Sequence, residues 1–198
     1  MPINFKESET RINLMRAFAG ESQARNRYYF AAEEAKKQKY EILEKVFIFT
    51  AEQEMAHAKV FYDYLKEFDG ESIEIDGGFP VNINNDIKEL LKSAVHNETE
   101  EYADVYKHFG EKAQEEGFAD IAFSFFKIAE IEKKHAERFQ NLYELLVNNK
   151  LFANDSECKW MCLNCGHIID LKAVPEQCPV CSHDRGYFIR LQSAPYTE

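Results

Sequence analysis

Hydrophobic and polar positions follow helical spacing over four long stretches of the chain. Apolar residues recur at alternating intervals of four and three within residues 9–37, 40–67, 86–116 and 118–147. This periodicity predicts four amphipathic helices. The segment DGESIEIDGGFPVNINN at 69–85 has three glycines, a proline and several turn-forming residues, and it predicts a long irregular connection.

The lengths of the connections predict how the helices are arranged. The first and second helices are joined tightly, as are the third and fourth, whereas the second and third are joined by the long segment. Two helical hairpins with one long crossover form a ferritin-like four-helix bundle. We therefore expect a mainly α protein with a bundle over residues 1–150, a polar linker at 151–157 and a small cysteine-rich metal domain at 158–198.

Ionisable residues interrupt the apolar stripe of each predicted helix near its middle. The interrupting residues are Glu21, Glu54, His57, Glu98, Glu101, Glu132 and His135. The third stripe continues beyond them to Val105. Each half of the chain supplies one lone glutamate and one E-x-x-H motif, with spacings of 33 residues from Glu21 to Glu54 and 34 from Glu98 to Glu132. Glu101 is an additional acid in the second half.

Five glutamates at one level of a bundle need compensating charge. A buried carboxylate costs several kcal/mol unless it is paired or coordinated, and the five would also repel each other. Two divalent cations would supply the charge. A set of oxygen ligands with two imidazoles favours iron or manganese over zinc. Tyr28 and Tyr106 lie one to two turns from these acids, which leaves core packing and hydrogen bonding to a ligand both open.

The cysteines predict a second metal site. Cys162, Cys165, Cys178 and Cys181 form two C-x-x-C pairs separated by twelve residues, which is a strong four-thiolate signature. Such a site holds zinc or a single iron. About forty residues bury little core, so the metal should supply much of this domain's folding free energy. Cys158 is expected to be a free thiol.

Composition and charge limit the possible partners. The 198-residue chain is 45% hydrophobic and carries a net charge of −11, all of it within residues 1–157. An acidic body argues against nucleic acid and is compatible with cations. No apolar run approaches the roughly 18 residues needed to span a bilayer, and no basic-then-apolar start suggests a secretory signal. We therefore expect no membrane partner and a cytoplasmic protein.

Five segments in this order resemble the rubrerythrin family: AFAGESQARNRYYF, AEQEMAHAKVF, NETEEYADVY, AEIEKKHAERF and WMCLNCGH followed by CPVC. The resemblance covers nearly the whole chain. It implies that the seven interrupting residues are di-iron ligands and catalytic residues, and that the cysteines hold one iron in a rubredoxin-like domain. It also implies a non-haem peroxidase that reduces hydrogen peroxide to water and protects against oxidative stress.

The resemblance further implies partners and a ligand exchange. The family takes electrons from an NADH-linked reductase, sometimes through a separate rubredoxin, and forms homodimers that are often head to tail. In the family one iron exchanges a glutamate for a histidine on reduction, which here would be Glu101 and His57, while His135 stays bound.

Two other functions stay open: a ferroxidase or iron-handling protein of the ferritin class, and a binding module with structural zinc and an idle bundle. The four-cysteine site counts against the ferritin-class alternative, because iron storage does not need a one-electron relay.

Overall fold

Two helical hairpins form the main body of the protein. The computed structural model describes residues 3–195. Its helices are α1 (Glu9–Lys37), α2 (Glu41–Tyr64), α3 (Ile87–Glu100), a five-residue π-helix (Glu101–Val105), α4 (Tyr106–Glu115) and α5 (Ala119–Val147). α1 packs along α2, and α5 packs along both α3 and α4. The predicted mainly α, ferritin-like bundle is confirmed. Within residues 3–195, no helix is both long enough and apolar enough to cross a membrane.

The third predicted helix contains an extra residue that its sequence pattern did not reveal. A π-helix at Glu101–Val105 interrupts the α-helical spacing between α3 and α4. The predicted stripe continued to Val105, but Val105 is only half-buried, and Tyr106 occupies the buried position instead, with 2% exposure. Val105 still packs against the apolar cluster that contains Phe61 and Phe125, while the residue added by the π-turn rotates the chain after it and brings Tyr106 to the fully buried position.

Side chains at one end of the bundle fix the start of α1. The Ser8 side chain caps the helix by accepting a hydrogen bond from the Arg11 amide. The Glu116 carboxylate, just beyond α4, accepts hydrogen bonds from the amides of Glu9 (3.0 Å) and Thr10 (2.9 Å) and from the Thr10 hydroxyl (2.6 Å). Glu116 therefore joins the second hairpin to the first.

The crossover between α2 and α3 is irregular, as predicted, and is held against the bundle at two points. Arg16 of α1 forms an ion pair with Asp76, and its Nε also donates to the Asp76 carbonyl. Further along, the Asn82 side-chain oxygen accepts from Arg27 (3.1 Å) and Asn97 (2.8 Å). These contacts fix the intervening residues over the face formed by α1 and α3.

Two apolar clusters fill the bundle on either side of the interrupted level. One contains Tyr28, Leu43, Phe47, Leu91 and Phe139, and it continues toward the end of α5. The other contains Leu14, Phe61, Tyr106, Ile121 and Phe125. The predicted ionisable residues lie between these clusters. The bundle therefore has a continuous core except at one polar layer.

A small antiparallel sheet forms the C-terminal region. Its strands are β1 (Ala153–Cys162), β2 (Ile168–Ala173) and β3 (Phe188–Arg190), in the order β2–β1–β3. Residues 153–157, which the sequence assigned to a linker, belong to β1. Ala153 pairs with Ala173, the register then shifts before Cys158, and most of the polar side chains between them stay exposed. Trp160 is fully buried and packs with Cys162, Cys178 and Phe188.

The C-terminal region sits closely on the turn between α1 and α2. A Cβ atom placed on Gly186 would lie 2.1 Å from the Lys39 carbonyl oxygen and 2.1 Å from a Glu41 carboxylate oxygen. Lys39 also forms a 3.0 Å ion pair with Asp184. Only a glycine permits this approach without a backbone shift, so Gly186 sets the distance between the two regions.

Candidate metal centres

Six of the seven predicted acidic and histidine residues come together in one buried layer. Their donor atoms form two groups in which all atoms lie within 4.8 Å of one another. The first group is Glu21, Glu54, His57 and Glu132, and the second is Glu54, Glu98, Glu132 and His135. Glu54 and Glu132 belong to both. The layer therefore offers two adjacent positions with two shared carboxylates, each completed by one further glutamate and one histidine.

Each imidazole reaches both shared glutamates. The Nδ1 atom of His57 lies 2.8 Å from Glu132 and 3.1 Å from Glu54. The Nδ1 atom of His135 lies 2.7 Å from Glu132 and 3.1 Å from Glu54. Residues three apart on a helix share a face, which is why each E-x-x-H motif directs both side chains inward. The two positions are thus related by an approximate two-fold arrangement.

Glu101 lies apart from these groups. It is the first residue of the π-helix, is half-buried, and belongs to neither four-residue group within the part of the chain that the structure describes. It lines a cavity of about 510 Å³ that also reaches Tyr106. The layer is therefore asymmetric, because its seventh predicted residue stands between the buried donors and this cavity.

Two tyrosines hold the lone glutamates in a reciprocal way. The Tyr106 hydroxyl donates a 2.5 Å hydrogen bond to Glu21, and the Tyr28 hydroxyl donates to Glu98. Each tyrosine therefore belongs to one hairpin and binds the lone glutamate of the other. Core packing and ligand hydrogen bonding, which the sequence left open, are both realised, since both tyrosines also lie in the apolar clusters.

A polar chain that the sequence did not reveal supports His135. Its Nε2 atom lies 3.1 Å from the side-chain oxygen of Gln53. Arg138 donates to that same oxygen (3.1 Å) and to the Thr50 hydroxyl (2.9 Å). Since arginine only donates, it keeps the Gln53 oxygen facing His135, so Nε2 donates and Nδ1 is left for a metal. Gln53 precedes Glu54, and its half-exposed position gave no sign of this contact.

The pKa values of the lone glutamates reflect a crowded acidic layer. Burial and the charges of Glu132 and Glu54 raise the pKa of Glu21 well above its ordinary value. Burial and the charge of Glu54 also raise the pKa of Glu98 to about 8. Burial, and to a smaller extent the charge of Glu98, also raises the pKa of Glu101 well above its ordinary value. Without cations these carboxyls tend to keep their protons.

The pKa values of the two histidines are raised and that of one shared glutamate is lowered, so all three groups favour their charged forms. Burial opposes the charged forms, but hydrogen bonds to Glu132 and Glu54 raise the pKa of His57 to about 9. The same two partners, with Glu98, raise the pKa of His135 to about 12. In turn the two imidazoles outweigh burial and lower the pKa of Glu132 to about 2. Protonated imidazoles thus supply positive charge that cations would otherwise provide.

Unpartnered donor atoms show that the layer fits a pair of metal ions. Within the described residues, several buried atoms form no well-aligned hydrogen bond, although an imidazole nitrogen lies close to most of the oxygens: Glu21 Oε2, Glu54 Oε1, Glu98 Oε2, both oxygens of Glu132, and His135 Nδ1. A buried polar atom that is left unsatisfied costs about 1–3 kcal/mol. A donor set rich in carboxylate oxygens with two imidazole nitrogens suits iron. The chemistry of the layer therefore matches a di-iron site.

The four predicted cysteines also converge. The sulfur atoms of Cys162 and Cys181 lie 3.8 Å apart, and those of Cys165 and Cys178 lie 3.7 Å apart. A tetrahedral site with metal–sulfur bonds of about 2.3 Å has edges of about 3.8 Å, so these spacings fit one metal ion. Cys158 is half-buried outside this group.

Comparisons with known proteins agree with both sites. A family model described as rubrerythrin matches residues 13–143, and one described as the rubrerythrin rubredoxin-like domain matches residues 160–189. The rubrerythrin of Porphyromonas gingivalis is 43% identical over 185 residues, which cover 93% of this chain and 91% of that protein. Rubrerythrin-1 of Clostridium acetobutylicum is 42% identical over 186 residues, covering 93% and 95%.

Solved structures show the same architecture. A partially reduced nigerythrin is similar with a TM-score of 0.63 and 29% identity, covering 93% of this chain and 90% of that chain. A Desulfovibrio desulfuricans bacterioferritin is similar with a TM-score of 0.63 and 23% identity, covering 72% and 82%. The bacterioferritin likeness supports the fold alone.

Proposed function

Since the chain belongs to the rubrerythrin family, an oxidoreductase family with a di-iron site and a rubredoxin-like four-cysteine iron site, we propose that it is a peroxidase that reduces hydrogen peroxide to water. The observation that carries this proposal is the buried donor layer with one further carboxylate, Glu101, facing a cavity. Electrons would reach the layer from the four-cysteine iron. Protection against oxidative stress is the physiological role we infer.

We assign the metal ligands by the two donor groups. Glu54 and Glu132 would be shared between two iron ions, Glu21 and His57 would complete one position, Glu98 and His135 the other, and Glu101 would be the additional ligand. Cys162, Cys165, Cys178 and Cys181 would hold the single iron. A bound pair of iron ions supplies the two electrons that cleavage of the O–O bond consumes.

The protein's own residues would position the substrate and move protons. Reduction of hydrogen peroxide to two waters requires two protons as well as two electrons. The carboxyl group of Glu101 lies where the cavity meets the buried layer, so it can hold a proton close to an entering peroxide. Tyr106 and Tyr28 keep Glu21 and Glu98 in fixed orientations, which preorganises the layer.

Partners follow from the surface and from the family. Large apolar side chains on the outer faces of α2 and α5 are exposed, including Phe49 (52%), Tyr62 (52%) and Phe123 (61%). Exposed aromatic groups of this kind are typical of protein interfaces. They support a homodimer, which we propose is head to tail, and a cytoplasmic NADH-linked reductase or rubredoxin would supply electrons. We also propose that residues 1–150 and 158–198 act as separate domains.

A peroxidase assay with a reconstituted NADH-dependent reductase tests the proposal. We expect NADH oxidation that depends on hydrogen peroxide and is faster than oxidation with oxygen. Glu101→Ala and His57→Ala should both lower peroxide turnover, while Glu52→Gln, at an exposed position of α2, should not. If the protein oxidises ferrous iron with oxygen faster than it reduces hydrogen peroxide, a ferroxidase would be favoured. Wild-type turnover in both His57→Ala and Glu101→Ala would contradict the exchange of these two ligands.

A further inference from the structure

The cavity beside Glu101 is larger than hydrogen peroxide requires. It has a volume of about 510 Å³ and is open to solvent on one side. Pockets of about 300–1,000 Å³ are typical of sites for small organic molecules. Hydrogen peroxide has only two heavy atoms. A channel a few ångströms wide would serve it, so most of this space needs another explanation.

One part of the cavity wall is apolar, and the rest is polar. The apolar part includes Ala17 and Gly20 of α1, Phe79 and Pro80 of the crossover, and Val105. Burying an apolar group against this part is favourable by about 25 cal/mol per Å² of apolar surface. The cavity therefore offers an apolar wall in the same space as the Glu101 carboxyl.

The charged residues of the cavity disfavour anions. Asp76, Glu100 and Glu101 line it, and Arg16 is already paired with Asp76. A ligand with a carboxylate would meet two acidic side chains without a free cation among the described lining residues. The lining thus disfavours an anionic hydroperoxide and leaves the neutral ones.

The covering segment is fixed in place, which gives the compartment a defined size. The Arg16–Asp76 pair and the hydrogen bonds to Asn82 hold the crossover on both sides of Phe79. A Cβ on Gly20 would lie 3.9 Å from the Phe79 ring, in ordinary van der Waals contact, so a longer side chain there would extend into the cavity or displace the ring. The absence of a side chain at residue 20 therefore keeps space between α1 and the crossover.

We infer that this cavity seats the organic group of a small neutral alkyl or aryl hydroperoxide. The inference rests on the proposed peroxidase function and extends its substrates from hydrogen peroxide to this class. The O–O bond of ROOH breaks, two electrons come from the reduced protein and two protons are taken up. The products are the alcohol ROH and water. The hydroperoxide group would face Glu101 while the R group lies against the apolar wall that includes Ala17, Gly20 and Phe79.

Steady-state kinetics of the iron-loaded full chain test the inference. Hydrogen peroxide, tert-butyl hydroperoxide, cumene hydroperoxide and a cumene hydroperoxide bearing a ring carboxylate are compared in one preparation with one reductase. We expect kcat/KM for the two neutral organic substrates to lie within about tenfold of that for hydrogen peroxide, and the carboxylate to be at least about tenfold poorer than its neutral counterpart.

A leucine at residue 20 should close the compartment. Gly20→Leu should lower the ratio of cumene hydroperoxide to hydrogen peroxide kcat/KM by at least about tenfold, because the new side chain occupies the space below Phe79. Gly20→Ala should give a smaller decrease in the same direction. Ala119→Leu, which adds bulk at an exposed position of α5, is the matched control and should leave the ratio unchanged.

A binding measurement separates the cavity from the chemistry. Calorimetric titration of the iron-loaded protein with 2-phenyl-2-propanol, the alcohol product of cumene hydroperoxide, should show binding that Gly20→Leu weakens at least about tenfold. Two results would overturn the inference and leave the proposed function standing. One is a protein that reduces hydrogen peroxide but has a kcat/KM for cumene hydroperoxide at least about a hundredfold lower. The other is a Gly20→Leu variant in which the ratio of the two kcat/KM values is unchanged. If no peroxide is reduced, the proposed function fails and the inference fails with it.

Discussion

Each lone glutamate of the metal layer, and His135, has a neighbour that fixes its orientation. Tyr106 holds Glu21, Tyr28 holds Glu98, and Gln53 holds His135. Buried donors that are held in this way lose little conformational freedom when a metal binds. The affinity of the layer therefore depends on residues that are not ligands themselves.

The support of His135 by Gln53 gives a prediction at this scale. Gln53→Leu keeps the volume of the side chain but removes the oxygen that Nε2 contacts, so the ring loses its fixed orientation. Affinity for ferrous iron at the carboxylate layer should fall by about 10–100-fold. Competition with a chelator of known affinity measures the change, and Glu52→Gln is the control on the same helix. Equal affinity of Gln53→Leu and wild type would show that the contact does not orient the ligand.

Spacing along the helices predicted that these side chains would enter one buried layer, because residues three apart share a face, and six of the seven do so. It did not predict how Glu101 would be placed, since its position depends on the π-helix. It gave no sign of Gln53 or Arg138, whose contacts connect side chains of α2 and α5 that are distant in sequence. Contacts between elements depend on how the helices are rotated against each other, which a single stripe does not define.

At the scale of elements, the π-helix accounts for the unequal spacing of the two halves. Glu21 precedes Glu54 by 33 residues and Glu98 precedes Glu132 by 34, although three residues connect the helices in each hairpin (38–40 and 116–118). The additional residue therefore lies in the helical rod of the second hairpin, where the π-turn is found. It moves Tyr106 to the buried position from which it reaches Glu21.

Two glycines within helices should respond to alanine in opposite ways. A Cβ on Gly110 of α4 would lie 2.5 Å from the ring of Phe126, so Gly110→Ala should lower the free energy of unfolding by about 1–3 kcal/mol through overpacking. Gly20→Ala has open space and should raise it by about 0.5–1 kcal/mol. Denaturant unfolding of both variants measures the difference. The same sign for both would contradict the close contact at Gly110.

The link between the hairpins through Glu116 should depend on pH. Partial burial opposes ionisation, but hydrogen bonds from Thr10 and Glu9 lower the pKa of Glu116 below its ordinary value. Its stabilisation is therefore present above the ordinary carboxyl pKa and is lost as the pH falls through the lowered pKa of the folded state.

Replacing the charge tests this link. Glu116→Gln should lower the free energy of unfolding by about 0.5–1 kcal/mol at neutral pH, and the difference from wild type should shrink in acid. Glu111→Gln, which removes an exposed charge on the adjoining helix α4, is the control. A difference that is unchanged in acid would show that the carboxylate charge is not responsible.

At the scale of the whole molecule, we expect the four-cysteine region to depend on its metal for much of its stability. Its small core gathers around Trp160, the single tryptophan of the chain, which packs against two of the predicted ligands. The sequence predicted the cysteine cluster from its spacing. It did not predict the close contact of this region with the turn between α1 and α2, because Gly186 has no side chain whose pattern could reveal a contact.

Tryptophan fluorescence should report on this dependence. Cys165→Ser removes one thiolate at an exposed position, so the packing around Trp160 loses little except the metal. We expect the emission of Trp160 to shift to longer wavelength, because structural metal binding at such sites is worth about 10 kcal/mol or more of folding free energy. Cys158→Ser should leave the emission unchanged. Unshifted emission in Cys165→Ser would show that the region folds without its metal.

The reciprocal tyrosine contacts have a consequence for protein design. Each hairpin brings one lone glutamate, one E-x-x-H motif and one tyrosine that reaches across to the other hairpin. A hairpin of this kind is a self-complementary module: two copies of residues 9–67 would present two shared glutamates, two terminal glutamates, two histidines and both tyrosine contacts. Such a homodimer would lack the π-helix, and with it Glu101 and the opening onto the cavity. One inserted residue and one glutamate, Glu101 in place of an alanine, thus distinguish a symmetric, closed metal site from an asymmetric site with an entrance.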